Sequence, residues 1–250
     1  MLYKLEINTT QKHSRNVTIR NVTMKHYVDN YYLRHYADNF HSLEPETLDW
    51  IDSFEKNSVF YDIGASGGFF SLYAAIKKKS HIIAFEPEAQ NFSTLEKNHY
   101  LNNSLFSNPF MTFNLALGNN KEISKLYIFR YEAGAAMKVL ETPIKRCEET
   151  LFQPAHTQYV RQERLDDFIF DFDLPTPNYV KIDVDGSEKK VIVGAKKILQ
   201  QNNLHSILIE IEEKNNYQDI LEDIKTLGFI IKEKYQVEDF KGLYNYLFVR

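Results

Sequence analysis

The 250-residue chain has one cysteine, Cys147, and no net basic charge, and no stretch of it is apolar for long enough to cross a bilayer. A single cysteine excludes an intramolecular disulfide framework and a cysteine cluster for zinc, and its expected role is that of an inert thiol. Hydrophobic residues make up 43% and charged residues 26%, which together with the missing apolar run gives a soluble globular class, neither disordered nor membrane-spanning. A net charge of −4 supplies no general attraction for nucleic acid, so no nucleic-acid partner is expected. The opening MLYKLEINTTQKHSR has neither a continuous apolar core nor a small-residue cleavage site, and the expected localisation is cytoplasmic. His26, His35 and His41 lack the i, i+4 pairing of a helical metal site, so no metal is expected. Internal repeats and low-complexity segments are also missing.

What is there is alternation. From Ser58 onward, apolar β-type runs (VFYDIG, HIIAFE, MTFNLAL, NYVKIDVDG, HSILIEIE) alternate with helical patterns, as expected of βαβ units around a parallel sheet. The runs GFIIKEKY and LYNYLFVR at the end read as a hairpin. Between MTFNLAL and NYVKIDVDG stand a hairpin-like SKLYIFRY, a polar and irregular region, and a strand QYVRQERL. The chain therefore divides into an N-terminal cap, residues 1–56, and one α/β domain, residues 57–250, carrying an insertion over about 119–160. The cap holds Tyr27, Tyr31 and Tyr32, read as the packing face of a helix, and a candidate helix over residues 44–55.

Two segments carry the chemistry. In Tyr61-Asp62-Ile63-Gly64-Ala65-Ser66-Gly67-Gly68, a buried strand runs into a helix through glycines, which permit a sharp turn and let a ligand approach the backbone. Serine at position 66 breaks the G-x-G-x-x-G spacing of a pyrophosphate fingerprint, while Asp62 suits the ammonium group of an amino-acid moiety. About twenty residues on, Glu86 stands where a ribose-binding acid is expected. A third strand ends in Asn114-Leu115-Ala116, at the sheet edge where an adenine would lie. The second segment is Lys181-Ile182-Asp183-Val184-Asp185-Gly186-Ser187-Glu188, in which strand alternation puts Lys181, Asp183 and Asp185 on one face. Three charges on one strand face are tolerable where they line a polar cleft. Glu210, near the end of the following strand, approaches the same cleft. Asp185 followed three residues later by Glu188 also fits a capping box, and Lys181 also fits a plain ion-pair partner.

YDIGASGGFFSLYAA, IIAFEPEAQNFSTLEKN, RLDDFI and VKIDVDGSEKKVIVGAKKIL, in this order over residues 59–212, resemble the FkbM family of S-adenosylmethionine-dependent methyltransferases. The resemblance implies a Rossmann-like class I methyltransferase fold: α/β, with a seven-stranded, mostly parallel sheet and helices on both faces. It implies S-adenosyl-L-methionine as cofactor, held by Asp62, Gly64, Ser66, Glu86, Asn114 and Ala116, and O-methylation of a hydroxyl on a sugar, a surface glycan or a natural product. The Lys181 to Glu188 cluster then faces the methyl group and the acceptor, with Asp185 and Glu188 on the acceptor side. Asp183 is the first candidate for general base, Lys181 for a charge partner and Glu210 for orienting the acceptor. The rivals are a nicotinamide-dependent sugar oxidoreductase, disfavoured by the missing fingerprint glycine, and a methyltransferase-like binding module without catalysis.

Overall fold

The computed structural model describes residues 10–146, 148, 150–214, 217–237 and 240–250, so Cys147 and the expectation attached to it lie outside the described residues. The first elements are strands β1 (Ser14–Ile19) and β2 (Val22–Tyr27), an antiparallel hairpin. Arg20 and Asn21 both have positive φ at its turn, the backbone that matches the twist of paired strands. Val17, Ile19, Val22 and Met24 alternate into the core, a period-two pattern that the reading of this segment as a cap passed over.

Helix α1 (Tyr31–Leu43) starts where the Asn30 side chain accepts from the Leu33 N–H at 2.9 Å, and it buries Leu33, Ala37 and Phe40. Its packing face is therefore not the tyrosine stripe. Tyr27 belongs to β2 and Tyr31 is 71% exposed. Helix α2 (Pro45–Asp52) begins on a proline whose missing N–H costs nothing in the first turn. It seats Trp50 in the core, with Nε1 donating to Ser206 Oγ at 2.8 Å.

The chain then runs through β3 (Val59–Ile63), α3 (Phe69–Lys77), β4 (His81–Phe85), α4 (Ala89–Asn102) and β5 (Phe110–Phe113), followed by β6 (Ala116–Leu117), β7 (Glu122–Ile128), β8 (Lys138–Leu140) and β9 (His156–Glu163). Next come α5 (Leu165–Asp171), β10 (Tyr179–Ile182), α6 (Glu188–Gly194), α7 (Lys196–Leu199), β11 (Ser206–Glu212), α8 (Tyr217–Thr226), β12 (Ile230–Gln236) and β13 (Leu243–Val249). The main sheet has seven strands in the order β12-β13-β11-β10-β3-β4-β5. β13 is antiparallel to both neighbours and the other pairs are parallel.

Alternation along the strands divides two cores between the faces of this sheet. Phe60, Ile82, Ala84 and Leu208 pack with α1 to α4 and the hairpin, whereas Tyr61, Ile83, Phe85 and Ile182 pack with α5, α6 and α8. This is the doubly wound α/β arrangement of class I methyltransferases.

Local departures from the expected pattern have identifiable causes. MTFNLAL is split because the Asn114 side chain donates to the carbonyls of Glu86, at 2.8 Å, and Pro87, at 3.1 Å, drawing the chain off the sheet edge. β6 then joins a second sheet, β6-β9-β7-β8, in which β7 and β9 fall on the expected SKLYIFRY and QYVRQERL runs and β8 pairs within the stretch expected to be irregular. The expected long helix after residue 187 breaks at Ala195, beside Gly194, where a Cβ would lie 1.9 Å from the Gly118 carbonyl oxygen. Among the described residues no helix is long and apolar enough to cross a membrane.

Candidate functional site

The loops that follow β3, β4, β5 and β10 meet at the carboxyl edge of the parallel strands, where open α/β sheets bind ligands. They surround a cavity of about 650 Å³, within the size range of small-molecule sites. Gly64, Ser66, Glu86, Ala116, Asp183, Asp185 and Glu210 line it. Asp62, Asn114, Lys181 and Glu188 stand behind that lining.

Gly64 has φ +85°, and a Cβ there would meet the Asp183 carbonyl oxygen at 1.8 Å. The glycine thus makes room for the neighbouring strand end as well as for a ligand. The Ser66 N–H, in a left-handed conformation, donates to the Glu86 carboxylate at 2.8 Å, and the Glu88 N–H donates to the other Glu86 oxygen at 2.9 Å. Each carboxylate oxygen keeps a further lone pair free for a hydroxyl donor. Burial raises the Glu86 carboxyl to about 7, against the pull of these amides and of Lys138. Phe85, Leu115 and Leu117 add an apolar wall beside it. An acid able to take two hydroxyls next to an apolar slot fits an adenosine, and the residues present are suited to hold one. Asp62 is buried, accepts from Ser71 Oγ at 2.6 Å, and has its carboxyl raised by burial against the pull of Lys181.

At the other end of the cavity lies a dense charge cluster. Lys181 Nζ is 2.7 Å from Asp183 and 3.9 Å from Glu44, and sits over the Phe70 ring. Burial disfavours its charge, but Asp183, Glu44 and Asp62 outweigh that and hold it protonated. The Asp183 and Glu210 carboxyl groups lie together at this end of the cavity, and each perturbs the other. Burial pushes Asp183 up, and Lys181 and Arg146 more than offset this, keeping it below the ordinary carboxylate range. Burial and then the Asp183 charge drive Glu210 far above that range, against the pull of Arg146.

β10 ends at Ile182 and the Asp183 N–H, donating to the Ile63 carbonyl at 3.0 Å, carries the pairing one residue further, so alternation accounts for Lys181 and Asp183 but not for Asp185, which sits in a turn at φ +54°. There its carboxylate accepts from the Lys138 N–H at 3.1 Å. Glu188 folds back to accept from the N–H groups of Gly186, at 3.1 Å, and Val184, at 3.3 Å, so the Asp185–Glu188 capping box weighed from the sequence does not form: the helix starts at Glu188 itself, and Asp185 is turned to Lys138 instead.

Three contributors were not foreseen. Arg146, from the loop between β8 and β9, reaches Asp185 at 3.3 Å, Glu188 at 3.5 Å and also Glu210. Glu44 and Tyr36 come from the N-terminal segment and line the same end. An arginine in a polar, irregular stretch carries no spacing signal, and Glu44 reads as a helix-boundary residue. Among the described residues, no group of three or more potential ligands could hold a metal ion.

The family profile described as Methyltransferase FkbM domain matches residues 62–246. A curated relative, Methyltransferase 1 of Beauveria bassiana (strain ARSEF 2860), is 28% identical over 151 residues, 56% of this chain and 59% of the relative. Among solved structures, the FkbM methyltransferase of Methylobacillus flagellatus KT superposes with a TM-score of 0.56 at 16% identity, over 89% of this chain and 56% of that one. The magnesium protoporphyrin IX methyltransferase of Synechocystis PCC 6803, solved with bound S-adenosylmethionine, gives 0.53 at 9% identity over 88% and 84% of the two chains. The present chain thus spans less than two thirds of the length of the curated relative and of the Methylobacillus protein.

Proposed function

The chain belongs to the FkbM methyltransferase family, and from that premise we propose that it is an S-adenosylmethionine-dependent O-methyltransferase acting on a hydroxyl of a sugar, a surface glycan or a natural product. The observation that carries this reading is the Asp183 carboxylate, 2.7 Å from Lys181 Nζ, lining the cavity whose other end is the Gly64 to Ser66 turn and Glu86. A cytoplasmic site of action belongs to the same reading, supported by the single cysteine.

When bound, the cofactor supplies a methyl group already activated on a positively charged sulfur. Gly64, Ser66, Glu86 and Ala116 are the residues that would hold it, with Asp62 and Asn114 fixing the loops from behind. The Asp183 carboxylate at this edge favours a cationic donor. Asp183 accepts a hydrogen bond from the acceptor hydroxyl and receives its proton as the carbon–oxygen bond forms. A carboxylate held below its usual range is a weak base. It is adequate here because a hydroxyl oxygen that is gaining a methyl group becomes far more acidic than any carboxylic acid. Lys181 keeps Asp183 in place and charged, while Glu210 steadies the acceptor side. Tyr36 and Glu44 from the N-terminal cap and Arg146 from the insertion shape the acceptor end, which supports assigning specificity to these two segments.

The test is incubation with deuteromethyl-labelled S-adenosylmethionine and a panel of mono- and oligosaccharides and hydroxylated small molecules, with the product located by mass spectrometry. A labelled methyl ether is the expected outcome. Label found on nitrogen or carbon, or a protein that fails to bind the cofactor in calorimetry, overturns the reading.

A further inference from the structure

Arg146 is the point at which the inserted segment enters the charge cluster. Its side chain is 8% exposed and meets carboxylates from three separate pieces of the fold: the turn after β10 (Asp185), the first residue of α6 (Glu188) and strand β11 (Glu210). The segment that delivers it is fastened close by. An isolated bridge pairs Ile144 with Leu151, the Lys145 N–H donates to the Thr150 carbonyl at 2.8 Å, and the Glu141 N–H donates to the Lys125 carbonyl at 2.8 Å. A guanidinium is suited to this task because its planar donors reach several acceptors at once and it does not shed its proton.

We infer that Arg146 is a positioning residue: by clamping Asp185, Glu188 and Glu210 together it sets the geometry and the proton distribution of the Asp183–Glu210 pair that receives the acceptor hydroxyl. The inference rests on the proposed role of Asp183, and it concerns a residue that neither the glycine turn nor the acidic motif after β10 contains.

The groups that face the pair determine what removal of Arg146 does. Lys181 lies on β10, which Asp183 directly follows, Asp62 on β3, Glu44 ahead of α2, Tyr36 on α1, and Glu188 on α6. Of these, Lys181 alone is cationic, and it is already paired with Asp183 and close to Glu44. Without Arg146, one buried cation stands against Asp183, Glu210, Glu44 and Glu188. The proton affinity of Asp183 must then rise, because the charge that favours its ionised form is gone. A lysine at the same position restores the charge but not the three-way geometry.

The experiment reads the pair directly in the protein without substrate. Carboxyl carbon resonances of Asp183 and Glu210 are assigned with Asp183→Asn and Glu210→Gln and titrated by NMR in the wild type, Arg146→Gln and Arg146→Lys. In the wild type, one carboxyl is expected to titrate below and the other well above the ordinary range. In Arg146→Gln the lower midpoint is expected to rise by about one pH unit, a tenfold gain in proton affinity. Arg146→Lys is expected to recover most of that shift. Equal midpoints in wild type and Arg146→Gln overturn the inference. Should Arg146→Gln not fold, Arg146→Met takes its place and is read in the same way: a lower midpoint raised by about one pH unit supports the inference, and one equal to wild type overturns it. Parallel calorimetry with S-adenosylmethionine keeps the two proposals distinguishable, since loss of cofactor binding in the wild type defeats the functional reading while the titration still reports on Arg146.

Discussion

The backbone N–H of Ser66 donates to the side-chain carboxylate of Glu86 at 2.8 Å, so the turn after β3 and the end of β4 are held as one unit. The same carboxyl is buried and is raised to about 7.

Cofactor affinity should therefore depend on pH through Glu86. Ribose hydroxyls favour the ionised carboxylate, whereas the free protein keeps it half protonated near neutrality. Affinity for S-adenosylmethionine is expected to rise with pH up to about 7 and then level off, with proton release on binding at pH 6. Calorimetry at pH 6 and pH 8 in buffers of differing ionisation enthalpy measures both effects. Glu86→Gln should abolish the proton release and weaken binding.

The stability of the free protein has the opposite slope. Glu86 has a raised folded value, so its unfolded form, near 4.5, loses its proton first as pH rises. The favourable contribution of the neutral carboxyl is present in full below about 4.5 and is lost by about pH 7, on the order of 3 kcal/mol. Urea unfolding of wild type and Glu86→Gln at pH 5 and pH 8 isolates this part of the pH dependence, which should be missing in the variant.

Gly64→Ala places a Cβ 1.8 Å from the Asp183 carbonyl oxygen at a φ of +85°. Backbone must move, and a loss of about 3 kcal/mol or more in urea unfolding is expected, together with loss of cofactor binding. A variant of wild-type stability and affinity would contradict this account of the turn.

Asp183→Asn keeps the shape and removes the charge. Methyl transfer is expected to fall about 10²- to 10⁴-fold, with cofactor affinity changed by no more than a few fold. Single-turnover rates with a saturating acceptor from the panel, set beside calorimetry, separate the two quantities. Unchanged turnover removes Asp183 from the role of base.

Asn98 joins the N-terminal hairpin to the cofactor loop, accepting from the Tyr27 N–H and donating to the Gly67 carbonyl, each at 2.7 Å. Asn98→Leu leaves both buried groups unpaired. Destabilisation by about 2 to 4 kcal/mol is expected, and weaker cofactor binding with it. If the hairpin is independent of the loop, stability alone will change.

Much of this could be read along the chain because the cofactor end is built from local pieces. A strand end, a glycine turn and a helix start lie within ten residues of one another, and strand alternation separates Tyr61 from Phe60 and Ile83 from Ala84 without knowledge of any partner. The glycine turn, Glu86 and Asp183 carry their positions in their spacing for that reason.

The rest depended on contacts made at long range. Asn114 redirects its strand because two carbonyls from another loop lie within reach, and α6 stops beside Gly194 because the Gly118 backbone is in contact. Arg146, Glu44 and Tyr36 reach the acceptor end from segments far away in sequence, and none has a neighbour in the chain that foretells its partner. The sequence alone determined the βαβ order and the acids of the strand ends, because hydrophobic periodicity and turn chemistry act over a few residues. Only the tertiary structure decided which charges lie together and which segments close that end of the cavity, because charge interactions in a buried site are set by distances between parts of the chain that periodicity does not relate.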